Sequence, residues 1–311
     1  MAADSTTEIR SPALAGLHLL LTYECNYECD HCFTWGSSSQ SGTMTLETIQ
    51  HILAEAESLG SVEWIYFEGG EAFLYYQVLR TGVRLANEFG FKVGIVSNAY
   101  WATADADAMK WLMPFAGFVE DLSISSDAYH GGHDFLTKPA IARRAARKLG
   151  IPVDFISVAS PEATETPHAV GQSPAGESAV LFRGRAAKLL ASKVEARPWK
   201  QFSECPWEDL RQPERVHVDP FGILHICQGI SIGNLFERPL ADIMRDYDPD
   251  NHPIVGPLLD GGPAEIIRQY DLSHQDGYAD HCHLCYLARC ELRERFPDLL
   301  TPDQMYGKMQ R

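Results

Sequence analysis

The chain has no stretch approaching the roughly eighteen consecutive apolar residues that a membrane-spanning helix needs. It also has no basic n-region: Asp4 and Glu8 stand where a secretory signal would carry Lys or Arg. These two absences predict a cytoplasmic protein with no membrane partner. Positive charge is scarce as well, with 26 Lys and Arg against 42 Asp and Glu and a net charge of -16. A nucleic-acid or anionic-membrane ligand needs a basic face, so both are argued against, and a neutral or cationic substrate is favoured. Cysteine is not scarce, at eight residues, but the thiols are bunched in a chain without an export signal. That pattern points to metal ligation rather than to a disulfide framework.

At 311 residues the chain is long for one ordinary domain, so a large barrel with an appendage, or two domains, is expected. Residues 1–15 lack periodicity and predict a loose arm. Strand and helix patterns then alternate. Leu17 to Thr22 reads as a buried strand, and Thr45 to Leu59 as an amphipathic helix with Thr45 as N-cap. Val62 to Phe67, Phe91 to Ser97, Glu120 to Ser125, Ile151 to Val158 and Ser178 to Phe182 read as further strands. Tyr76 to Phe89, Ala104 to Met113 and Asp134 to Leu149 read as helices between them. Such alternation implies parallel pairing with right-handed crossovers, in an open sheet or a barrel. Ala159 to Glu177, rich in Pro and Gly, reads as a long substrate-covering loop. Beyond Pro198 the texture changes to a hairpin, Arg215 to Asp219 and Ile223 to Cys227, with short helices at Pro239 to Arg245 and Ala264 to Gln269. Three units are therefore expected: an arm over 1–15, a barrel over 16–198 and an α+β module over 199–311.

The stretch Cys25-Asn26-Tyr27-Glu28-Cys29-Asp30-His31-Cys32 follows the first strand directly. A cubane iron-sulfur cluster takes four ligands, so three protein thiolates leave one iron open to a small molecule. Zinc with His31 as fourth ligand is the alternative, but adjacent His31 and Cys32 are poorly arranged for a tetrahedron. After the second strand comes Glu68-Gly69-Gly70-Glu71-Ala72; after the third, Ser97-Asn98; and at the end of the fourth, Ser123-Ile124-Ser125-Ser126-Asp127.

With these motifs at strand ends the chain resembles the radical S-adenosylmethionine (SAM) enzymes. The resemblance implies a partial (β/α)6 TIM-like barrel in the α/β class, with cofactor and substrate at the C-terminal ends of the strands. It also implies a 4Fe-4S cluster on Cys25, Cys29 and Cys32 whose open iron is chelated by SAM, and one-electron cleavage of SAM to a 5'-deoxyadenosyl radical. An external flavodoxin- or ferredoxin-type reductant would supply the electron. Gly69 and Gly70 would let backbone approach the ligand, and Glu71 would accept from the SAM ammonium. Ala72 departs from the proline usual there. Ser97, Asn98, Ser125 and Asp127 fall where the family contacts the methionine and ribose parts of SAM, with strand-end capping as the plain reading of each Ser. His31 takes the place of an aromatic residue that packs near adenine. Arg183-Gly184-Arg185 sits at the same lip, as a carboxylate clamp or as a solvated helix start.

Five thiols remain. Cys205, Cys227, Cys282 and Cys285, with Gly222 and Ile232-Gly233-Asn234-Leu235, resemble a SPASM/twitch extension; five cysteines suit the shorter twitch form, with one auxiliary 4Fe-4S cluster on those four. Zinc on the same four thiolates stays open. Cys290 is left as an inert buried thiol, a replacement ligand, or a catalytic hydrogen-atom donor. The expected reaction is oxidation or epimerisation of a small polar, sugar- or aminocyclitol-like substrate. Modification of a ribosomally made peptide is the alternative, disfavoured because only about sixteen residues precede the first strand, too few for a peptide-recognition domain.

Overall fold

Leu17, Leu19 and Leu21 alternate with Gly16, His18 and Leu20 along the first strand, so the two sets face opposite sides of the sheet. That alternation recurs and organises the molecule. A computed structural model describes residues 14–130, 136–163 and 175–308. Residues 1–13 of the expected 1–15 arm, most of the long loop and the start of the expected Asp134 helix lie outside the described residues.

The first half runs β1 (Gly16–Thr22), α1 (Leu46–Leu59), β2 (Trp64–Gly69), α2 (Tyr76–Glu88), β3 (Lys92–Ser97), α3 (Asp105–Leu112), β4 (Asp121–Ser125), α4 (Thr137–Lys148), β5 (Val153–Val158) and β6 (Gly176–Ser178). All neighbouring pairs from β1 to β6 are parallel. The expected (β/α)6 arrangement is therefore present as a mixed α/β fold around a parallel sheet, open between β6 and its far edge. Thr45 caps α1 by accepting from the Thr48 amide at 3.1 Å, and Ile49, Ile52, Leu53 and Ala56 form its buried stripe.

The sixth strand differs from expectation. It ends at Ser178, and Val180 and Phe182 instead pack with Ala186, Leu190 and Ala279 in a small cluster. The Phe182 amide donates to Asp280 Oδ2 at 3.2 Å rather than to a neighbouring strand. An apolar run looks the same whether its partner is a ladder or a side-chain pocket.

The second half runs α5 (Arg185–Leu189), β7 (Arg197–Pro198), β8 (Arg215–Val218), β9 (Ile223–Cys227), β10 (Ile230–Asn234), α6 (Leu240–Asp246), α7 (Val255–Tyr270), β11 (Gly277–Tyr278) and α8 (His281–Leu292). The expected hairpin is β8–β9, and it is not a separate sheet. β8 pairs in parallel with β1, giving nine strands in the order β10-β9-β8-β1-β2-β3-β4-β5-β6. The expected helix Ala264 to Gln269 is the second half of α7, which breaks at Gly261 and Gly262. Gly262 has φ +63° and room for no Cβ, since one would meet the Glu204 amide at 2.2 Å.

One face of this sheet is apolar: Leu17, Leu19, Leu21, Ile65, Phe67, Val93, Ile95, Leu122, Ile124, Val216 and Val218 join the helices in the main core. The other face carries His18, Glu68, Ser123, Ser125, Arg215 and His217, which line a cavity of about 230 Å³. A polar face buried between strands must be paired or used. No helix among the described residues is long and apolar enough to cross a membrane.

Candidate active site

The cavity lies at the C-terminal ends of the parallel strands and collects most of the residues singled out above: Cys25, Cys29, Cys32, His31, Gly69, Gly70, Ser97, Asn98, Ser125 and Asp127, with Arg183 at its edge. Related parallel α/β architectures put chemistry at this end for the same topological reason.

The cysteine loop is held from several directions. The Cys25 amide donates to the Ser37 carbonyl at 3.0 Å and the Cys32 amide to the Cys29 carbonyl at 3.0 Å. Backbone donors reach the sulfurs: Tyr27 N lies 3.4 Å from Cys25 Sγ and Gly36 N 3.2 Å from Cys32 Sγ. Asn98 Nδ2 also approaches Cys25 Sγ, at 3.7 Å. Burial pushes the Cys25 thiol up to about 12 and the Cys29 thiol higher still, with neighbouring cysteines adding to the effect. These groups are neutral thiols until a cation neutralises them, so metal loading must release their protons.

Gly69 and Gly70 serve the chain first. A Cβ on Gly69 would meet the Thr22 carbonyl at 2.4 Å, and one on Gly70 the Glu24 carbonyl at 2.0 Å. The Gly70 amide donates to the Thr22 carbonyl at 2.6 Å and the Glu71 amide to that of Glu24 at 2.9 Å. The glycine pair thus lets the end of β2 press against the segment that launches the cysteine loop.

Glu71 is buried and does not line the cavity. Its carboxylate accepts from the Phe73 amide at 3.1 Å, Ser97 Oγ at 2.9 Å and the Asn98 amide at 2.7 Å. Burial nevertheless raises it to about 7, against those three bonds. Ser97 Oγ also accepts from Trp101 Nε1 at 3.1 Å, so Glu71 and Ser97 join the ends of β2 and β3, and Ser97 and Asn98 also line the cavity, which Glu71 does not.

Asp127 is buried too, with Oδ1 2.7 Å from His130 Nδ1 and 3.1 Å from the Tyr129 amide. Oδ2 accepts from the Val158 amide at 3.1 Å and lies 3.6 Å from His31 Nε2. Although burial acts against it, the hydrogen bond from His130 and the nearby His31 ring hold the carboxyl well below its usual range. His31 packs edge-on against Tyr129, with ring centroids 4.8 Å apart. His130, which sequence reasoning did not single out, is part of this wall; its spacing of three from Asp127 was the available signal.

Of the two lip arginines, Arg185 is buried into the cysteine loop, with Nη1 donating to the Cys29 carbonyl at 2.7 Å and Nη2 to the Gly36 carbonyl at 2.8 Å. Arg183 is shared between two sites. It lines the cavity, and its Nη1 lies 3.3 Å from both Glu208 Oε1 and Cys227 Sγ. Around that sulfur, Cys205, Cys227, Cys282 and Cys285 surround a void of about 20 Å³. Cys285 sits on α8, and burial raises its thiol, as it does those of Cys205 and Cys282. Cys290 is elsewhere. It is exposed on α8 and lines neither cavity, because five residues along a helix turn it about 140° from Cys285. The expectation of a buried thiol is corrected accordingly.

Residues 19–160 match the Radical SAM superfamily model. The chain carries a radical SAM domain. Among proteins to which it is similar, YydG of Bacillus subtilis, whose name places it in peptide biosynthesis, is 28% identical over 111 residues, 35% of each chain. An S-adenosylmethionine-dependent nucleotide dehydratase of Selenomonas ruminantium is 33% identical over 82 residues, 26% of this chain and 29% of the relative. The matches thus span about a third of the length of these curated relatives. The structure of anSMEcpe with AdoMet and the Cp18Cys peptide covers 91% of this chain and 97% of its own, at 12% identity and TM-score 0.49.

A radical SAM domain binds SAM at a 4Fe-4S cluster, and the residues present suit one. Three thiols on one loop face the cavity, and backbone or side-chain N–H groups lie close to two of the sulfurs. No three cysteines among the described residues offer sulfurs mutually within 4.8 Å. A single tetrahedral zinc with bonds of about 2.3 Å would hold its sulfurs at roughly 3.8 Å; a cubane asks for the wider spread.

Proposed function

We propose that the protein cleaves SAM reductively and abstracts a hydrogen atom from a small polar substrate, with net oxidation or epimerisation as the outcome. The observation that carries this reading is one cavity lined by Cys25, Cys29 and Cys32 on one side and by Ser123, Ser125, Glu68, Arg215 and His217 on the other. When bound, the cluster supplies the electron that splits the SAM sulfonium into methionine and a 5'-deoxyadenosyl radical.

Each residue then has a defined task. Cys25, Cys29 and Cys32 hold the cluster, and Arg185 holds their loop. Asn98 offers an amide to the SAM amino-acid end, while Glu71 and Ser97 fix the Asn98 backbone. The glycine pair presents the end of β2 to the same end of SAM. Asp127 orients His130 and His31, which form the wall for the nucleoside, and its remaining lone pair can accept from a ribose hydroxyl. The hydroxyls of Ser123 and Ser125 and the charged groups of Glu68 and Arg215 face the substrate.

Cys205, Cys227, Cys282 and Cys285 are proposed to hold an auxiliary 4Fe-4S cluster in a twitch-like module over 199–311, beside a radical SAM unit over 16–198. Arg183 lies between that site and the cavity, where a substrate-derived electron would have to pass. An external one-electron reductant of the flavodoxin or ferredoxin type is required by the chemistry. Cys290 has no place in this scheme.

A peptide substrate is the second reading, favoured by the likeness to YydG. The test is anaerobic. Reconstituted protein given SAM and a strong reductant is expected to release 5'-deoxyadenosine, and absence of that product overturns the proposal. Deuterium transfer into 5'-deoxyadenosine from labelled aminocyclitols, against transfer from labelled peptides encoded beside the gene, separates the two substrate classes.

A further inference from the structure

The inner face of the sheet carries one polar cluster that neither cysteine set explains. His18 on β1, Glu68 on β2 and His217 on β8 belong to three adjacent strands, and His18 pairs directly with His217 in the β1–β8 register. His217 Nε2 lies 2.9 Å from Glu68 Oε1, and His18 Nδ1 lies 3.4 Å from Glu68 Oε2. One ligating atom from each residue falls within 4.8 Å of the other two. Cys29 with His31 and His130 is equally compact, but its sulfur belongs to the cysteine triad; the His18, Glu68 and His217 trio contains no cysteine.

Although burial acts against it, the two imidazoles hold the Glu68 carboxyl well below its usual range, yet the pairing geometry within the trio is incomplete. His18 Nδ1 and Glu68 Oε1 are buried and have no hydrogen-bond partner in aligned geometry. Buried polar atoms of this kind are ordinarily satisfied, and a cation placed among converging lone pairs would satisfy both. The rings are also held in place. His18 stacks on Tyr66 with centroids 4.6 Å apart and planes 11° apart. Tyr66 is fixed in turn by its hydroxyl, which donates to Asp121 Oδ2 at 3.1 Å, and by Gly94, where a Cβ would come within 2.2 Å of its ring. His217 packs against Phe33 at 5.8 Å. Arg215 on the same wall is 3.5 Å from Glu208 and so has its own counter-ion.

We propose that His18, Glu68 and His217 bind one divalent first-row transition-metal ion of the zinc or ferrous class. Two imidazoles and a carboxylate are a standard ligand set for such ions and leave coordination positions free. All three residues line the cavity that also holds the cysteine triad, so the free positions face it. A hydroxyl or amine of the substrate is the chemical partner they suit. That last step rests on the proposed use of the cavity; the metal site itself does not.

The test uses the full chain with its clusters reconstituted, given zinc chloride alone, desalted, and assayed for metals and by zinc K-edge X-ray absorption. The expected result is one zinc per chain with only nitrogen and oxygen neighbours. Glu68→Gln, which preserves shape, and His217→Gln should each weaken zinc retention by about tenfold or more, with iron content unchanged as evidence that the variants fold and load. A sulfur-coordinated zinc, retention equal in wild type and both variants, or no retained zinc in the wild type overturns the proposal. SAM cleavage is read separately: 5'-deoxyadenosine release without bound zinc defeats the metal site and leaves the proposed activity standing.

Discussion

Arg185 donates from Nη1 to the carbonyl oxygen of Cys29 at 2.7 Å, and its own amide donates to the Cys32 carbonyl at 3.0 Å. A residue more than 150 positions away in sequence thus fastens two turns of the cysteine loop, with its guanidinium also 5.5 Å from the Trp35 ring centre. Arg185→Met keeps the apolar stem but removes the donor of the Gly36 carbonyl and one of the two donors of the Cys29 carbonyl, which keeps the Cys32 amide, a loss of about 2 kcal/mol by the usual cost of buried unsatisfied groups. Urea unfolding should register that loss. Iron analysis should show preferential depletion of the first cluster, and full retention of both clusters would contradict the structural role.

The two cysteine sets are spatially separate and should load independently. Cys29→Ala is expected to abolish 5'-deoxyadenosine formation while about half the iron is retained. Cys282→Ala should lose the complementary half and keep some SAM cleavage while impairing turnover. Mössbauer or EPR spectra of the two variants should sum to that of the wild type; SAM cleavage surviving in Cys29→Ala would refute the assignment.

Among the described residues Arg183 is the one cationic side chain shared by the linings of the two sites, and its Nη1 lies 3.3 Å from Cys227 Sγ. Hydrogen bonds to sulfur and nearby positive charge both raise a cluster's reduction potential. Arg183→Met should therefore shift the auxiliary cluster to lower potential in an EPR-monitored redox titration and leave the first cluster's spectrum in place. An unchanged auxiliary potential would separate Arg183 from that site.

Glu71 gives a pH dependence with a definite sign. Burial lifts its folded pKa from 4.5 to about 7, so between those values the folded state binds more protons than the unfolded one. Stability from this group is then fully present at pH below the unfolded value and declines as pH rises towards 7. Glu71→Gln changes the baseline, because it replaces an acceptor of the Asn98 amide, but it should remove the slope. Denaturation of the metal-free protein from pH 5 to 8 should show the wild type losing up to a few kcal/mol relative to the variant; parallel profiles would mean the ionised form is already fully compensated.

Cys290 is exposed on α8 and apart from both cavities. Cys290→Ser should leave iron content, 5'-deoxyadenosine release and product formation within about twofold of wild type, an exposed substitution of this kind costing little. Loss of solvent-hydrogen incorporation into an epimerised product would show that this thiol reaches the substrate after all.

Much of this organisation was already written in the chain. The short apolar runs of β1 to β5, the stripe and cap of α1, and the turn chemistry at the strand ends are local patterns, dictated by which side chains a strand or helix must bury. The cysteine spacing, too, is a local matter, since one loop delivers all three thiols. Other features depended on contacts between distant residues. Nothing near Arg215 announces that β8 will pair with β1, and that pairing is what brings His217 beside His18. Nothing near Arg183 or Arg185 says which will bury into the cysteine loop and which will stand between two sites. Glu71 reads as a ligand contact from its motif, yet Ser97 and Asn98 occupy its carboxylate once β2 and β3 lie side by side. Local sequence decides what a segment can form; long-range packing decides which polar groups are consumed in building the fold and which are left facing the cavity.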